Sequence, residues 1–119
     1  MAKLNVVSFL SGGVTSTSDV KTGEHYYDGS DNKYLPLCIQ PTIVLKAKRS
    51  KFSTFIQRAN REGVDTAIFI EDMFSTGHDE ANRNSVRNYG TESLPLVGLA
   101  MCADKKLVDK VVKGARLHD

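Results

Sequence analysis

The sequence predicts one α/β domain over residues 1–119, built on an open mixed sheet of three to four strands with helices on both faces. Helical and strand-like patterns alternate along the chain, and this order covers both faces of an open sheet. The chain has 119 residues, which is enough for one hydrophobic core and too few for two. Apolar residues make up 40% and charged residues 25%, as in ordinary globular proteins.

The first predicted helix is apolar on one face, which is expected to comprise Leu4, Val7, Phe9 and Leu10, with Val6 as an additional apolar residue. We expect it to end at Gly12-Gly13, because glycine accepts the left-handed conformation that closes a helix. A long polar loop follows. Within it, the Asp28-Gly29 pair between flanking tyrosines indicates a hairpin or an ordered surface loop.

Three apolar runs predict strands, which are expected to begin near Pro41, Thr66 and Pro95. Helices are predicted between and after them, at 51–62, 79–89 and from Lys105 onward. The helix over 51–62 has one buried stripe formed by Phe52, Phe55, Ile56 and Ala59. Gly63 is predicted to end this helix, and Gly98 inside the last strand indicates close packing of another element.

Charge, cysteine content and hydropathy limit the possible function classes. The net charge of +2 is too small to indicate a nucleic-acid partner by itself. Cys38 and Cys102 lie in apolar runs and are interpreted as buried thiols of a cytoplasmic protein, with a reactive thiol or a single disulfide as the alternative. The longest uncharged apolar run, Leu94–Ala103, is far below the roughly 18 residues that span a membrane.

The richest chemistry in the sequence is the stretch Glu71–His78, directly after the second predicted strand. Asp72 is a candidate to orient a group or accept a proton, Thr76 to position a water, and His78 to act as a general acid or base. The structural alternative is that Asp72 and Ser75 or Thr76 only cap a turn and the following helix. No metal or cofactor is expected, because the spacing of the three histidines matches no ligand motif.

Cations cluster on or near the exposed side of the second predicted helix: Lys48, Arg49, Lys51, Arg58 and Arg61. They are interpreted as a solvated face, and an anion-binding or RNA-binding surface is the alternative.

Three stretches resemble the type-2 peptidyl-tRNA hydrolase superfamily. Residues 41–46 with the helix over 52–63, and the last strand with its helix over 96–117, are similar to that family's elements. The stretch Ile70–Thr76 is similar to its strand-end motif, in which an aspartate is followed four residues later by a threonine. The resemblance is closest to a bacterial branch of unknown function, domain of unknown function 2000, through Met73–Asp79 and Asn82-Arg83.

The resemblance implies roles for three residues. Lys3 would neutralise a phosphate or stabilise an oxyanion, Asp72 would orient it or handle a proton, and Thr76 would position a water for ester hydrolysis. The hydrolases carry other residues at the positions of Val7, Leu10, Met73 and Phe74. We therefore expect a ligand-binding or regulatory module with a divergent site, with a hydrolase of peptidyl-tRNA or a related ester as the alternative.

The resemblance also implies partners and a gap in the sheet. The expected ligand is tRNA or a small molecule, no membrane is involved, and the chain is expected to form a homodimer. Relative to that family the chain begins one strand late, so its first strand is expected upstream of Met1 or from a partner subunit.

Overall fold

The computed structural model describes residues 2–17 and 20–117, apart from the side chains of Ala2 and Lys3. Over these residues the fold is mixed α/β, with four α-helices and three antiparallel sheets of two strands each. In chain order the elements are α1 (Ala2–Thr15), β1 (Tyr26–Tyr27), β2 (Lys33–Tyr34), β3 (Leu45–Lys46), α2 (Arg49–Glu62), β4 (Thr66–Ile70), α3 (Asp79–Arg87), β5 (Leu96–Met101), α4 (Lys105–Val111) and β6 (Arg116–Leu117). No helix in the described ranges is both long and apolar enough to cross a membrane.

The core is built around the antiparallel pair β4–β5, which has helices on both faces. Phe69 and Ala67 of β4 pack towards α1, whereas Ile68 and Ile70 pack towards α2. Phe69 pairs with Gly98 and Ile70 with Leu96, so Val97 is an extra residue in β5. This bulge lets Leu96 and Leu99 both pack on the α2 side, although an offset of three would place them on opposite faces of a regular strand.

Helix α1 differs from the sequence prediction in its buried face and in its end. Val6 and Leu10 are buried against the β4–β5 pair, whereas Leu4 and Phe9 are exposed. The helix does not end at Gly12-Gly13 but continues to Thr15. Gly13 instead allows close packing, because a Cβ there would lie 3.0 Å from the Cβ of Ala67.

Gly98 has the role that its place in a strand predicts. A Cβ at Gly98 would lie 3.0 Å from Val6 Cγ1 and 3.2 Å from Leu10 Cδ1. The missing side chain therefore lets α1 lie directly on β5.

Helix α2 forms as its sequence predicts. Phe55, Ile56 and Ala59 are buried, and Gly63 closes the helix with a left-handed φ of 70°. An ion pair of 2.6 Å between Lys110 Nζ and Glu62 Oε1 joins α2 to α4. This contact with Lys110 lowers the pKa of Glu62.

The prediction of one sheet with three to four strands is wrong for the described residues, where the strands form separate pairs. The strand expected from Pro41 is reduced to Leu45–Lys46, which pairs with β6. Ile43 and Val44, predicted to lie inside it, are exposed. A continuously apolar strand needs to be covered on both faces. The described part of the chain covers little of Ile43 and Val44.

The hairpin between the tyrosines is confirmed, because β1 and β2 pair in antiparallel register. The Asp28 carboxylate holds the turn by accepting hydrogen bonds from the Tyr34 hydroxyl at 2.8 Å and from the backbone N–H groups of Ser30 and Asn32. These bonds, that of Tyr34 first, lower the pKa of Asp28, and the same bond raises the pKa of Tyr34.

The prediction of two buried thiols is wrong for Cys38, which is exposed, while Cys102 is partly buried. Within the part of the chain that the structure describes, neither cysteine forms a disulfide. Cys38 is exposed because the apolar run around it lies on the surface.

Candidate functional site

The candidate site lies where β4 ends. The chain leaves the strand through a 3₁₀ turn, Glu71–Phe74, whose first N–H donates to the carbonyl of Pro95 at 2.9 Å. Helix α3 then brings Tyr89 back beside this turn, where it packs with Val86 and Leu94. Strand, turn and helix therefore place polar side chains from two separate stretches at one end of the core.

Asp72 is held by a residue that the sequence did not single out. The Tyr89 hydroxyl lies 3.1 Å from Asp72 Oδ1 and 3.0 Å from Oδ2, and it donates to this carboxylate. The bond to Asp72, followed by partial burial, raises the pKa of Tyr89, so this hydroxyl stays protonated as a donor. The one sequence signal for Tyr89 is its position at the end of the polar helix predicted over 79–89.

Thr76 is also engaged within the protein. Its Oγ1 lies 3.2 Å from the carbonyl oxygen of Met73 and in hydrogen-bond contact with Oδ1 of Asn82. A hydroxyl has one proton, so it donates to one of these oxygens at a time. Thr76 thus joins the turn after β4 to α3, as a positioning residue would.

His78 forms the N-terminal cap of α3. Its Nδ1 accepts a hydrogen bond from the Ala81 N–H at 3.2 Å, and its side chain is exposed. An acceptor Nδ1 carries no proton, so in this geometry the neutral ring has its hydrogen on Nε2. The N-terminal cap of α3 is therefore His78, a residue for which the sequence had not suggested a capping role.

The first turn of α2 lies beside the same strand end. Arg49 forms an ion pair with Glu71 and donates through Nε to the carbonyl oxygen of Leu96 at 3.0 Å. Lys48 and Lys51 flank Arg49, and all three side chains are exposed. We call these three residues the basic turn.

The side chain of Lys3, the fourth residue predicted for the site, lies outside the described residues. The backbone of Lys3 belongs to the first turn of α1. Asp72, Thr76 and the basic turn are the groups that the structure brings to one end of the core.

Comparison with known proteins identifies a family. The model of the family described as protein of unknown function (DUF2000) matches residues 1–119. The chain belongs to the DUF2000 family. No curated protein matches it.

One solved structure is similar to this DUF2000 chain throughout its length. It is that of Atu0240, a protein of unknown function from Agrobacterium tumefaciens strain C58. The two share 43% sequence identity with a TM-score of 0.91, and the match covers 99% of this chain and 87% of the other.

A depression of about 500 Å³ lies at the other end of β4, lined in part by Thr17, Asp65 and Thr66. It is partly open to solvent and lies at the opposite end of β4 from Asp72. We therefore place the candidate site of this DUF2000 protein at the Asp72 end, where the hydrogen-bonded polar groups converge. Within the described residues, no group of three or more His, Cys, Asp or Glu side chains is arranged to hold a metal ion.

Proposed function

We propose that this protein is a binding module for a phosphate-bearing ligand, which it holds between the basic turn and Asp72. The observation that carries the proposal is the position of Arg49. Its contacts with Glu71 and Leu96 fix the basic turn beside the end of β4. Cations would then face the phosphate, and the partly exposed Asp72 carboxylate would accept hydrogen bonds from hydroxyl groups of the ligand.

The charge pattern of α2 supports an anionic ligand. Lys48 precedes the helix and Arg49 and Lys51 lie in its first turn, which contains no acidic residue. The first turn of a helix carries partial positive charge, so cations there are unfavourable unless an anion compensates them. Glu71 compensates the charge of Arg49 through their ion pair. The charges of Lys48 and Lys51 indicate that an anion from outside the chain binds here.

The internal hydrogen bonds favour binding over catalysis. Thr76 is bonded within the protein and His78 caps α3, so two of the candidate catalytic groups are engaged, whereas the Asp72 carboxylate keeps acceptor sites for a ligand beside its bond from Tyr89. A general base or a water-positioning group has to reach the substrate. The resemblance to type-2 peptidyl-tRNA hydrolases supplies the ligand to test first, which is tRNA, and a mononucleotide shares its phosphate and sugar hydroxyls.

Binding of labelled tRNA, measured by fluorescence anisotropy at several salt concentrations, tests the proposal. We expect saturable binding that weakens steeply with salt. The double variant Lys48→Gln/Lys51→Gln should weaken binding about tenfold or more and reduce the salt slope by about two. The control Lys106→Gln/Lys113→Gln removes the same charge from α4 and its C-terminal flank and should bind like the parent protein.

Competition separates the two sources of phosphate. A mononucleotide that displaces tRNA at millimolar concentration identifies a nucleotide pocket, and failure to displace it identifies tRNA itself as the ligand. The proposal is wrong if neither ligand binds saturably, or if both double variants lose binding equally.

Ester hydrolysis is a second candidate, favoured by the partial exposure of Asp72 in the turn Glu71–Phe74 and by Thr76 shortly after that turn. Incubation with purified peptidyl-tRNA, followed by measurement of the free tRNA released, tests this candidate. If the protein is a hydrolase, it should release free tRNA above background, and Asp72→Asn should abolish that release. Lys3→Gln tests in the same assay the role that the resemblance assigns to this lysine. Release that is unchanged by Asp72→Asn would exclude this role for Asp72.

A further inference from the structure

Arg49, the cation that anchors the basic turn, is already occupied by an acidic residue of the protein. Its guanidinium donates from Nη2 to Glu71 Oε2, and from Nε to the carbonyl oxygen of Leu96 at 3.0 Å. A carboxylate and a phosphate present similar oxygens to an arginine, since both accept hydrogen bonds from its planar guanidinium. Glu71 therefore holds a position on Arg49 that a ligand phosphate would take.

The backbone keeps Glu71 beside Arg49. The Glu71 N–H donates to the carbonyl of Pro95 at 2.9 Å, and the Arg49 side chain donates to the carbonyl of the next residue, Leu96. Two successive carbonyl groups, just before and at the start of β5, thus fix both partners at one place. A group that is tethered in this way competes with a free ligand at an effective concentration of about millimolar or more.

The ion pair is nevertheless easy to open. Both side chains are 57% exposed, so water screens their attraction, and exposed pairs of this kind contribute little to stability. The bond from Arg49 to Leu96 does not depend on Glu71, so Arg49 stays beside the end of β4 when Glu71 turns towards solvent. A pair that is held in place but weak is suited to the exchange of one anion for another.

We propose that Glu71 is an internal competitor of the ligand phosphate, which displaces it from Arg49 on binding. This inference rests on the proposed function and adds a regulation of the same site. The apparent dissociation constant equals the intrinsic one divided by the fraction of molecules in which Arg49 is open to the ligand. For an exposed ion pair, this raises the dissociation constant about two- to fivefold.

Binding of labelled tRNA and of adenosine monophosphate to Glu71 variants tests the proposal. Glu71→Gln keeps the length of the side chain and removes its charge, so binding of the probe that the parent protein takes up should strengthen about two- to fivefold. Glu71→Asp keeps the charge but shortens the reach to Arg49, and it should strengthen binding part of the way. The control Glu24→Gln removes the same charge from an exposed position before the hairpin and should bind like the parent protein.

A double-mutant cycle with Arg49→Gln shows whether the effect passes through the ion pair. In the Arg49→Gln background, Glu71→Gln should strengthen binding no more than Glu24→Gln does, because the contact is already absent. Equal strengthening with and without Arg49 would overturn the inference.

Two further outcomes separate this inference from the proposed function. Saturable binding by the parent protein that Glu71→Gln leaves unchanged or weakens would overturn the inference and leave the proposed function standing. Absence of saturable binding in the parent protein and in every Glu71 variant would overturn both.

Discussion

Strand β4 and the uncharged stretch over residues 35–44, called the uncharged arm, are both apolar but lie in opposite environments. In β4, Thr66-Ala67-Ile68-Phe69-Ile70 lies between α1 and α2, and Ile70 is completely buried. In the arm, an equally apolar stretch around Leu37 and Ile39 projects from the surface. The difference is the presence of covering helices on both sides of β4. An apolar run thus predicts that it will be covered, but not whether the same chain provides the cover.

The same isoleucine substitution in both regions gives the largest expected effect. Ile70 packs with Ile56 and Leu96, so Ile70→Ala should lower the free energy of unfolding by about 2–5 kcal/mol through lost burial and a cavity. Ile39→Ala should change it by less than about 0.5 kcal/mol, because Ile39 is exposed. Urea denaturation of the two variants and the parent protein measures both changes. Equal losses would show that the arm belongs to the core of the single chain.

A pair of glycine substitutions tests how closely α1 packs on the core. Gly98→Ala should cost about 1–3 kcal/mol, because Val6 and Leu10 must move to admit the new methyl group. Gly12→Ala is the control, since a Cβ there meets nothing within 4 Å. It should stabilise the helix by about 0.5–1 kcal/mol. Thermal unfolding measures both variants, and a loss of stability for Gly12→Ala would contradict the helical continuation to Thr15.

The hydrogen bond between Tyr89 and Asp72 gives the smallest effect, a dependence on alkaline pH. The pKa of Tyr89 is raised in the folded state, so the bond stabilises the fold fully below the unfolded tyrosine pKa of about 10. This stabilisation is lost as the pH rises through the folded value. The stability of the parent protein should therefore approach that of Tyr89→Phe above pH 10, as measured by urea denaturation from pH 8 to 11.

Tyr34→Phe is the matched variant in the hairpin next to the arm, where Tyr34 donates to Asp28. Its effect should have the same sign and be smaller, because the hairpin is exposed and contributes little to the core. A stability difference between the parent protein and Tyr89→Phe that stays constant across this pH range would contradict the bond to Asp72.

Local signals predicted part of the candidate site. Asp72, Thr76 and His78 were recognisable as a dense polar stretch after an apolar strand, and α2 was recognisable from its buried stripe and Gly63. Tyr89 and the fixed position of Arg49 were not predicted. Both depend on contacts between distant stretches of chain, 17 residues apart for Tyr89 and Asp72 and 22 apart for Arg49 and Glu71. No spacing rule within one element encodes such contacts.

Elements with local signals could be predicted from the sequence. The stripe of α2, the left-handed end at Gly63, the turn at Asp28 and the strands around Phe69 and Gly98 follow from periodicity and backbone preference. The continuation of α1 through Gly12-Gly13 depends on the packed fold, because the fit of Gly13 to Ala67 is a contact between elements. The exposure of the residues around Ile39 depends on the packed fold too, since burial is set by which surfaces meet and not by the apolar character of the run.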